Sequence, residues 1–236
     1  MQSDQGNLQV IYEDNHVLAV NKRAGDLVQG DKTGDRPLNE IAQGYIGDKY
    51  DKPGKVFIGV THRLDRPTTG LVLFARTSKA LERMNAMFRD KSIQKTYWAL
   101  VEGHPEKASG TLVHYLKKNP KNNKSSAFPR QTEAAKKAVL HYRTLVELDH
   151  YSLLEVQLET GRHHQIRCQL SAMGNPIRGD LKYGAKRSNK DGGIHLHAVR
   201  VRFLHPVKKE EIMLEAPVPE EELWQLCRSQ ISGSKS

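Results

Sequence analysis

The sequence predicts a mixed α+β fold with a mostly antiparallel sheet. Three observations point there. The second half of the chain is dominated by alternating strand patterns, "SLLEVQLETG" and "IHLHAVRVRFLHP". Only a few stretches carry helical spacing, the clearest being "TSKALERMNAMFRDKS". No βαβ rhythm of strand, long helix and parallel strand repeats along the 236 residues, and no internal repeat is visible. The length fits one large domain.

Residues 1–7 are polar and are expected to be loose. "LQVIYEDNHVLAVNK" reads as two short strands, Leu8–Tyr12 and Val17–Asn21, around a Glu-Asp-Asn turn. A loop leads into a short helix from about Pro37, and "GDKYDKPGK" (47–55) is a charged turn region. "GLVLFAR" (70–76) has the composition of a buried strand. In the helix that follows, Thr77 or Ser78 can cap the first turn, and Leu81, Met84, Met87 and Phe88 share one face. "KTYWALVEG" (95–103) is apolar on both faces, as a central strand would be. The Lys/Asn-rich "LKKNPKNNKSSAFPR" (116–130) lacks periodicity and is expected to be a mobile basic loop.

Leu154, Val156 and Leu158 line one face of the next clear strand. "GRHHQIRCQLSAMGNP" looks like a loop running into a helix that stops at Gly174. In "HAVRVRF", Val199, Val201 and Phe203 alternate with Arg200 and Arg202. "PEEELWQLCRSQI" is the last helix. The expected layout is a single domain over 8–228, with loose ends at 1–7 and 229–236.

Composition narrows the function. The formal net charge is +10 and the pI about 9.5, which favours a polyanionic partner, nucleic acid first. Two distant cysteines, Cys168 and Cys227, argue against a disulfide framework and for a reducing cytoplasm. The N-terminus lacks signal-peptide character, and no apolar run reaches membrane-spanning length.

Three constellations could carry chemistry. In "THRLDRPTTG", Asp65 stands between Arg63 and Arg66. Nearby positive charge favours an ionised carboxylate, which suits a nucleophile or electrostatic partner better than a general acid. A structural ion-pair turn fits the same residues. "TGRHHQIRCQL" crowds Arg162, His163, His164, Gln165 and Arg167 together after a strand, where they could hold phosphates or face an acid. Tyr97, beside Trp98 in a strand that starts at Lys95, could stack on a base or be a core tyrosine. His164 with Cys168 and His195 with His197 have no accompanying carboxylates, so no metal is expected. Phosphate-loop, dinucleotide and nucleophile-elbow motifs are missing.

Five segments together resemble the RluA family of RNA pseudouridine synthases: "HRLDRPTTGLVLFA", "KTYWALVEG", "TGRHHQIRCQL", "GNPIRGDLKYG" and "HLHAVRVRFLHP". They occur in the family's order over most of residues 8–217. The resemblance implies a bent, largely antiparallel sheet with helices and loops around a central cleft. It implies isomerisation of uridine in tRNA or rRNA to pseudouridine, with the target base flipped out of its stack. Asp65 matches the essential aspartate, Tyr97 the tyrosine that stacks on the base, and Arg167 the arginine that pairs with the aspartate. Arg63 matches an arginine that fills the space of the flipped nucleotide. Ile166 would pack on the base, and Arg162, His164 and Gln165 would bind substrate. No cofactor, metal or membrane is implied, and a monomer is expected. A non-catalytic RNA-binding protein of the same fold is the alternative. The segment "NKRAGDLVQG" departs from the family's usual "NKPAGLVVHP": Arg23 replaces the proline and Asp26 intrudes.

Overall fold

The computed structural model describes residues 2–31 and 33–233. The first elements are β1 (Val10–Glu13), β2 (Val17–Lys22), α1 (Leu38–Lys49), β3 (Gly59–Val60), β4 (Thr69–Ala75) and α2 (Ser78–Arg89). Then come β5 (Gln94–Glu102), β6 (Ser109–Asn119), β7 (Lys124–Phe128), β8 (Lys136–Glu147) and β9 (Tyr151–Leu158). The chain continues through α3 (Gln165–Ala172), a 3-10 turn (Leu181–Tyr183), β10 (Leu196–Leu204), β11 (Glu211–Glu215) and α4 (Glu222–Gly233). The fold is α+β, with antiparallel pairing of β1 with β2, β2 with β4, β10 with β11, and along the run from β5 to β6. The chain divides into two compact units, residues 1–95 with 198–217 and residues 96–197 with 218–236.

In the first unit β2 and β4 pair antiparallel and every residue of both is buried. That burial explains why "GLVLFA" is a continuous apolar run with no alternation. Val17, Ala19, Leu71 and Leu73 face one way and pack with Ala80 and Met84 of α2. Leu18, Val20, Val72 and Phe74 face the other way, against Leu38, Ile41, Ala42 and Ile46 of α1. The period of two sends alternate residues to opposite helices. Thr77 caps α2 by accepting from the Ala80 amide at 3.1 Å. β10 lies beside β4 and pairs antiparallel with β11. Gly70, at φ +108°, lets these strands close up: a Cβ there would sit 2.4 Å from the Ala198 carbonyl oxygen.

The second unit is an antiparallel run in the order β5, β9, β8, β6, β7. Leu100, Val146 and Leu153 pack with Val218, Trp224 and Cys227 at its α4 end. Leu116, Ala138, Cys168 and Tyr183 form a second cluster beneath α3. Both cysteines are free and buried.

Three expectations need correction. Residues 116–130 are not a structureless loop: β6 and β7 form a hairpin in which Lys117 faces Ser126 and Lys118 faces Ser125. Lysines at strand positions hid the alternation, while Asn123, at φ +48°, makes the turn in a conformation asparagine tolerates. Residues 2–7 take a defined turn, because Asp4 accepts from the amides of Gly6 and Asn7, and Ser3 is buried against Asp26. The last helix runs through Gly233, so the expected loose end at 229–236 is helical as far as it is described, with residues 234–236 outside the described residues. Strand β11 had escaped the sequence reading, its short "EIMLE" framed by charge.

Candidate active site

Asp65 sits in the first unit, on the loop between β3 and β4. Side chains tie the start of that loop to β4. Thr61 donates its hydroxyl to the Leu73 carbonyl at 2.6 Å, and the Leu73 amide donates to His62 Nε2 at 3.0 Å. His62 thus takes the place of a strand partner, and its ring packs on Phe88 at 4.7 Å. Burial pulls its pKa down to about 3, helped by Lys95, so the imidazole is neutral and its Nε2 lone pair is already engaged. The turn that carries Asp65 closes when the Thr68 amide donates to the Asp65 carbonyl at 3.0 Å.

Lys22, missed by the sequence reading, holds this turn from below. It is 1% exposed, and its ammonium donates to the carbonyls of Arg23 at 2.9 Å, Arg66 at 2.9 Å and Thr68 at 2.7 Å. Three donors meet three acceptors, which satisfies a buried ammonium. The Gly25 amide adds a second bond to the Arg66 carbonyl, at 2.9 Å. The only sequence signal was a lysine closing an apolar strand.

The flanking arginines differ. Arg66 reaches away to Asp35 at 2.6 Å in a solvent-exposed pair, a geometry worth roughly 0–1 kcal/mol. Arg63 is exposed and makes no hydrogen bond or ion pair among the described residues.

The other expected residues lie in the second unit. Arg162, His164, Gln165, Ile166 and Arg167 come together where a loop enters α3. His164 occupies the left-handed region at φ 51° and ψ 30°, uncommon for a residue with a Cβ. Its ring stacks on His163 at 3.7 Å between centroids, and its Nδ1 pairs with the Tyr183 hydroxyl at 3.0 Å. His163 in turn bonds Ser125 and Asn123 of the basic hairpin. Burial pushes the Tyr183 hydroxyl up to about 12, so it stays protonated.

Gln165 is 3% exposed. Its Oε1 accepts from the Arg162 amide and the Thr160 hydroxyl, and its Nε2 donates to the Val139 carbonyl. These bonds shape the loop that enters α3. Arg162 is exposed and donates from Nε to the Lys137 carbonyl at 3.0 Å. Ile166 is 5% exposed.

Arg167 is buried and forms a bidentate pair with Asp180, Nε to Oδ2 at 2.7 Å and Nη2 to Oδ1 at 2.9 Å. Its guanidinium lies 5.0 Å from the Tyr183 ring centre. Asp180 and Tyr183 belong to "GDLKYG", a segment noted for its resemblance but given no role; an acid beside a glycine turn was the only signal there. Tyr97, on β5 opposite Val156 of β9, is 5% exposed. Its hydroxyl makes no hydrogen bond among the described residues, unlike a core tyrosine placed for structure alone. Among the described residues no group of three His, Cys, Asp or Glu side chains could hold a metal ion. No described helix is long and apolar enough to cross a membrane.

Comparison with known proteins decides the family. The family model described as RNA pseudouridylate synthase matches residues 16–172, well over half of the chain. The chain belongs to the RNA pseudouridylate synthase family. It is an enzyme of the RluA type, and uridine isomerisation in RNA is the chemistry of its family. "Ribosomal large subunit pseudouridine synthase D" of Zymomonas mobilis is 32% identical, over 91% of this chain and 70% of that protein. "tRNA pseudouridine synthase C" of Vibrio cholerae is 30% identical, over 97% of this chain and 98% of that one. An uncharacterised RNA pseudouridine synthase of Synechocystis is 33% identical, and this chain spans 66% of its length. The solved structure of human RNA pseudouridylate synthase domain containing 4 shares the fold, with a TM-score of 0.77 at 22% identity. It covers 95% of this chain and 93% of its own.

Proposed function

We propose that this pseudouridine synthase converts one or a few uridines in structured tRNA or rRNA, with Asp65 as the reactive carboxylate. The observation that carries the reading is the family match over residues 16–172, which encloses Asp65, Tyr97 and Arg167 alike. In the proposed reaction the N1–C1′ bond breaks, the base turns, and a C1′–C5 bond forms. The C5 proton leaves and N1 gains one, so atoms and oxidation state balance without a cofactor or metal.

The proposed roles follow from the chemistry. The uridine flips out of its stack before reaction. Tyr97 stacks on it and stands near C5, a reading supported by its buried ring and unbonded hydroxyl. Arg167 steadies Asp65, supported by the rigidity that Asp180 gives its guanidinium. Arg63 fills the vacated stack, supported by its exposure. Ile166, Arg162, His164 and Gln165 contact the RNA. The proposal includes a monomer acting in the cytoplasm.

The test is incubation of the purified protein with total RNA from cells lacking the gene, followed by pseudouridine mapping. Modification of a few defined uridines in tRNA or rRNA supports the proposal and identifies the substrate. RNA binding without any new pseudouridine would favour a silent RNA-binding protein instead.

A further inference from the structure

The charged turn "GDKYDKPGK" (47–55) takes no part in the chemistry above, yet it builds a surface of its own on the first unit. α1 ends at Lys49, and the Lys52 amide closes the turn by donating to the Gly47 carbonyl at 3.1 Å. Tyr50 follows the helix and is 48% exposed; Phe57, further along, is 45% exposed. The Tyr50 ring is held in place without being covered. Its hydroxyl donates to Glu13 Oε1 at 2.6 Å, and the Arg76 guanidinium lies over the ring, 5.2 Å from its centre. Arg76, with a side chain only 6% exposed, is itself fixed by Glu13 at 3.0 Å. Lys49 and Lys52 place their ammonium groups 5.6 and 5.9 Å from the same ring centre. Lys52 and Arg76 also line a hollow of about 420 Å³, together with Lys55 and Phe57. No carboxylate among the described residues lines it.

We propose that this surface is an accessory site for a single-stranded stretch of RNA, with Tyr50 and Phe57 stacking on bases and Lys52 and Lys55 on phosphates. Grooves that hold single strands combine these two features, aromatic faces for the bases and cations for the backbone. Glu13, the carboxylate at the hub, is shared among Lys49, Arg76 and the hydroxyls of Tyr45 and Tyr50. Lys52 and Lys55 have no carboxylate partner among the described residues, so their charge is open to an anion. An acidic peptide would use the lysines and leave two exposed rings without a counterpart, whereas a nucleotide uses both. The site lies away from the reacting base. Gly59 pairs with Ala75, the end of β4 nearest Phe57, while the Asp65 turn closes at Thr68, beside the opposite end. The seven residues of β4 span roughly 20 Å. RNA that reaches both places is held at the reacting uridine and again along a flanking strand. The site depends on RNA as the substrate and not on the role of Asp65.

The probe is a fluorescein-labelled oligo(A) strand, which holds no uridine, titrated with the full-length protein. Phe57→Ala should weaken binding about tenfold, within the range for loss of one stacked base. Replacing Lys52 and Lys55 together with alanine should flatten the salt slope by about 1.4, at 0.7 for each of two phosphates. Tyr50→Phe keeps the ring and should bind like wild type. Unchanged affinity in Phe57→Ala, or an unchanged salt slope in the lysine variant, would overturn the proposal. Equal weakening by Tyr50→Phe would place the effect in the Glu13 cluster and overturn the stacking role. A polyglutamate peptide that competes as well as oligo(A), and is indifferent to Phe57→Ala, would make the surface a dock for acidic protein and overturn it too. Ultraviolet cross-linking of the wild-type protein to oligo(A) needs no variant. A cross-link on Tyr50 or Phe57 supports the site, and cross-links confined to other segments overturn it. Asp65→Asn should bind oligo(A) like wild type. Failure of the Asp65 reading therefore shows in pseudouridine mapping, and failure of this site shows in binding.

Discussion

Arg167 and Asp180 form a bidentate ion pair with side chains only 5% and 1% exposed. Two parallel charge-assisted bonds fix the guanidinium plane on α3, and the Tyr183 ring lies beside it. Removing Asp180 strips this buried guanidinium of two charge-assisted bonds. Asp180→Ala should therefore destabilise the fold by about 3–5 kcal/mol. Asp180→Asn should cost less, since an amide still accepts one bond. Thermal and denaturant unfolding of both variants checks the order; an unchanged Asp180→Ala midpoint would refute a supporting role for the pair.

Tyr97 separates ring from hydroxyl. The hydroxyl has no hydrogen-bond partner among the described residues, so Tyr97→Phe should leave stability within about 0.5 kcal/mol of wild type. Stacking survives in the variant, so RNA affinity should change little while turnover falls. Strong loss of affinity would make the hydroxyl a binding contact.

The basic hairpin should act through phosphates. Lys117, Lys118 and Lys121 are exposed on β6 and the turn after it. Replacing all three with alanine should weaken RNA binding across unrelated sequences and flatten its dependence on salt. On single strands the slope should fall by about 0.7 for each phosphate that is no longer neutralised. Fluorescence anisotropy over a salt series reads this, and an unchanged slope would remove the hairpin from the interface.

Acid stability has a marked contributor in Asp14. Its carboxylate is held down to about 2, because the His16 and Val17 amides and the Tyr12 hydroxyl, followed by His205, outweigh burial. A depressed carboxyl contributes stability that is fully present above its ordinary pKa of 3.8 and is lost as pH falls towards 2. Asp14→Asn should therefore lower the Tm at neutral pH and flatten its fall between about pH 4 and pH 2. A parallel downward shift at every pH would assign the effect to packing.

Much of the fold was legible because burial leaves a pattern. The β2 and β4 runs, the Thr77 cap and the Val199, Val201, Phe203 alternation all follow from periodicity or capping. The hairpin was not, because lysines occupy strand positions whose apolar stems pass for solvated charge. At the site, clustered residues in "HRLD" and "TGRHHQIR" stood out by type and spacing. Lys22 and Asp180 did not, since their partners are distant in sequence: backbone carbonyls 44 and 46 residues on for Lys22, and Arg167 for Asp180. The bonds of Gln165 to Thr160 and Val139 were likewise not readable from residue type.

Asp65→Asn tests the central claim most directly. The substitution keeps size and backbone while removing the charge proposed to do the chemistry. Wild-type protein and the variant, each checked for folding, are incubated with the same RNA lacking the modification, and pseudouridine is mapped at single-nucleotide level. The account predicts defined new pseudouridines with the wild type and none with Asp65→Asn. Equal modification by both proteins would contradict it.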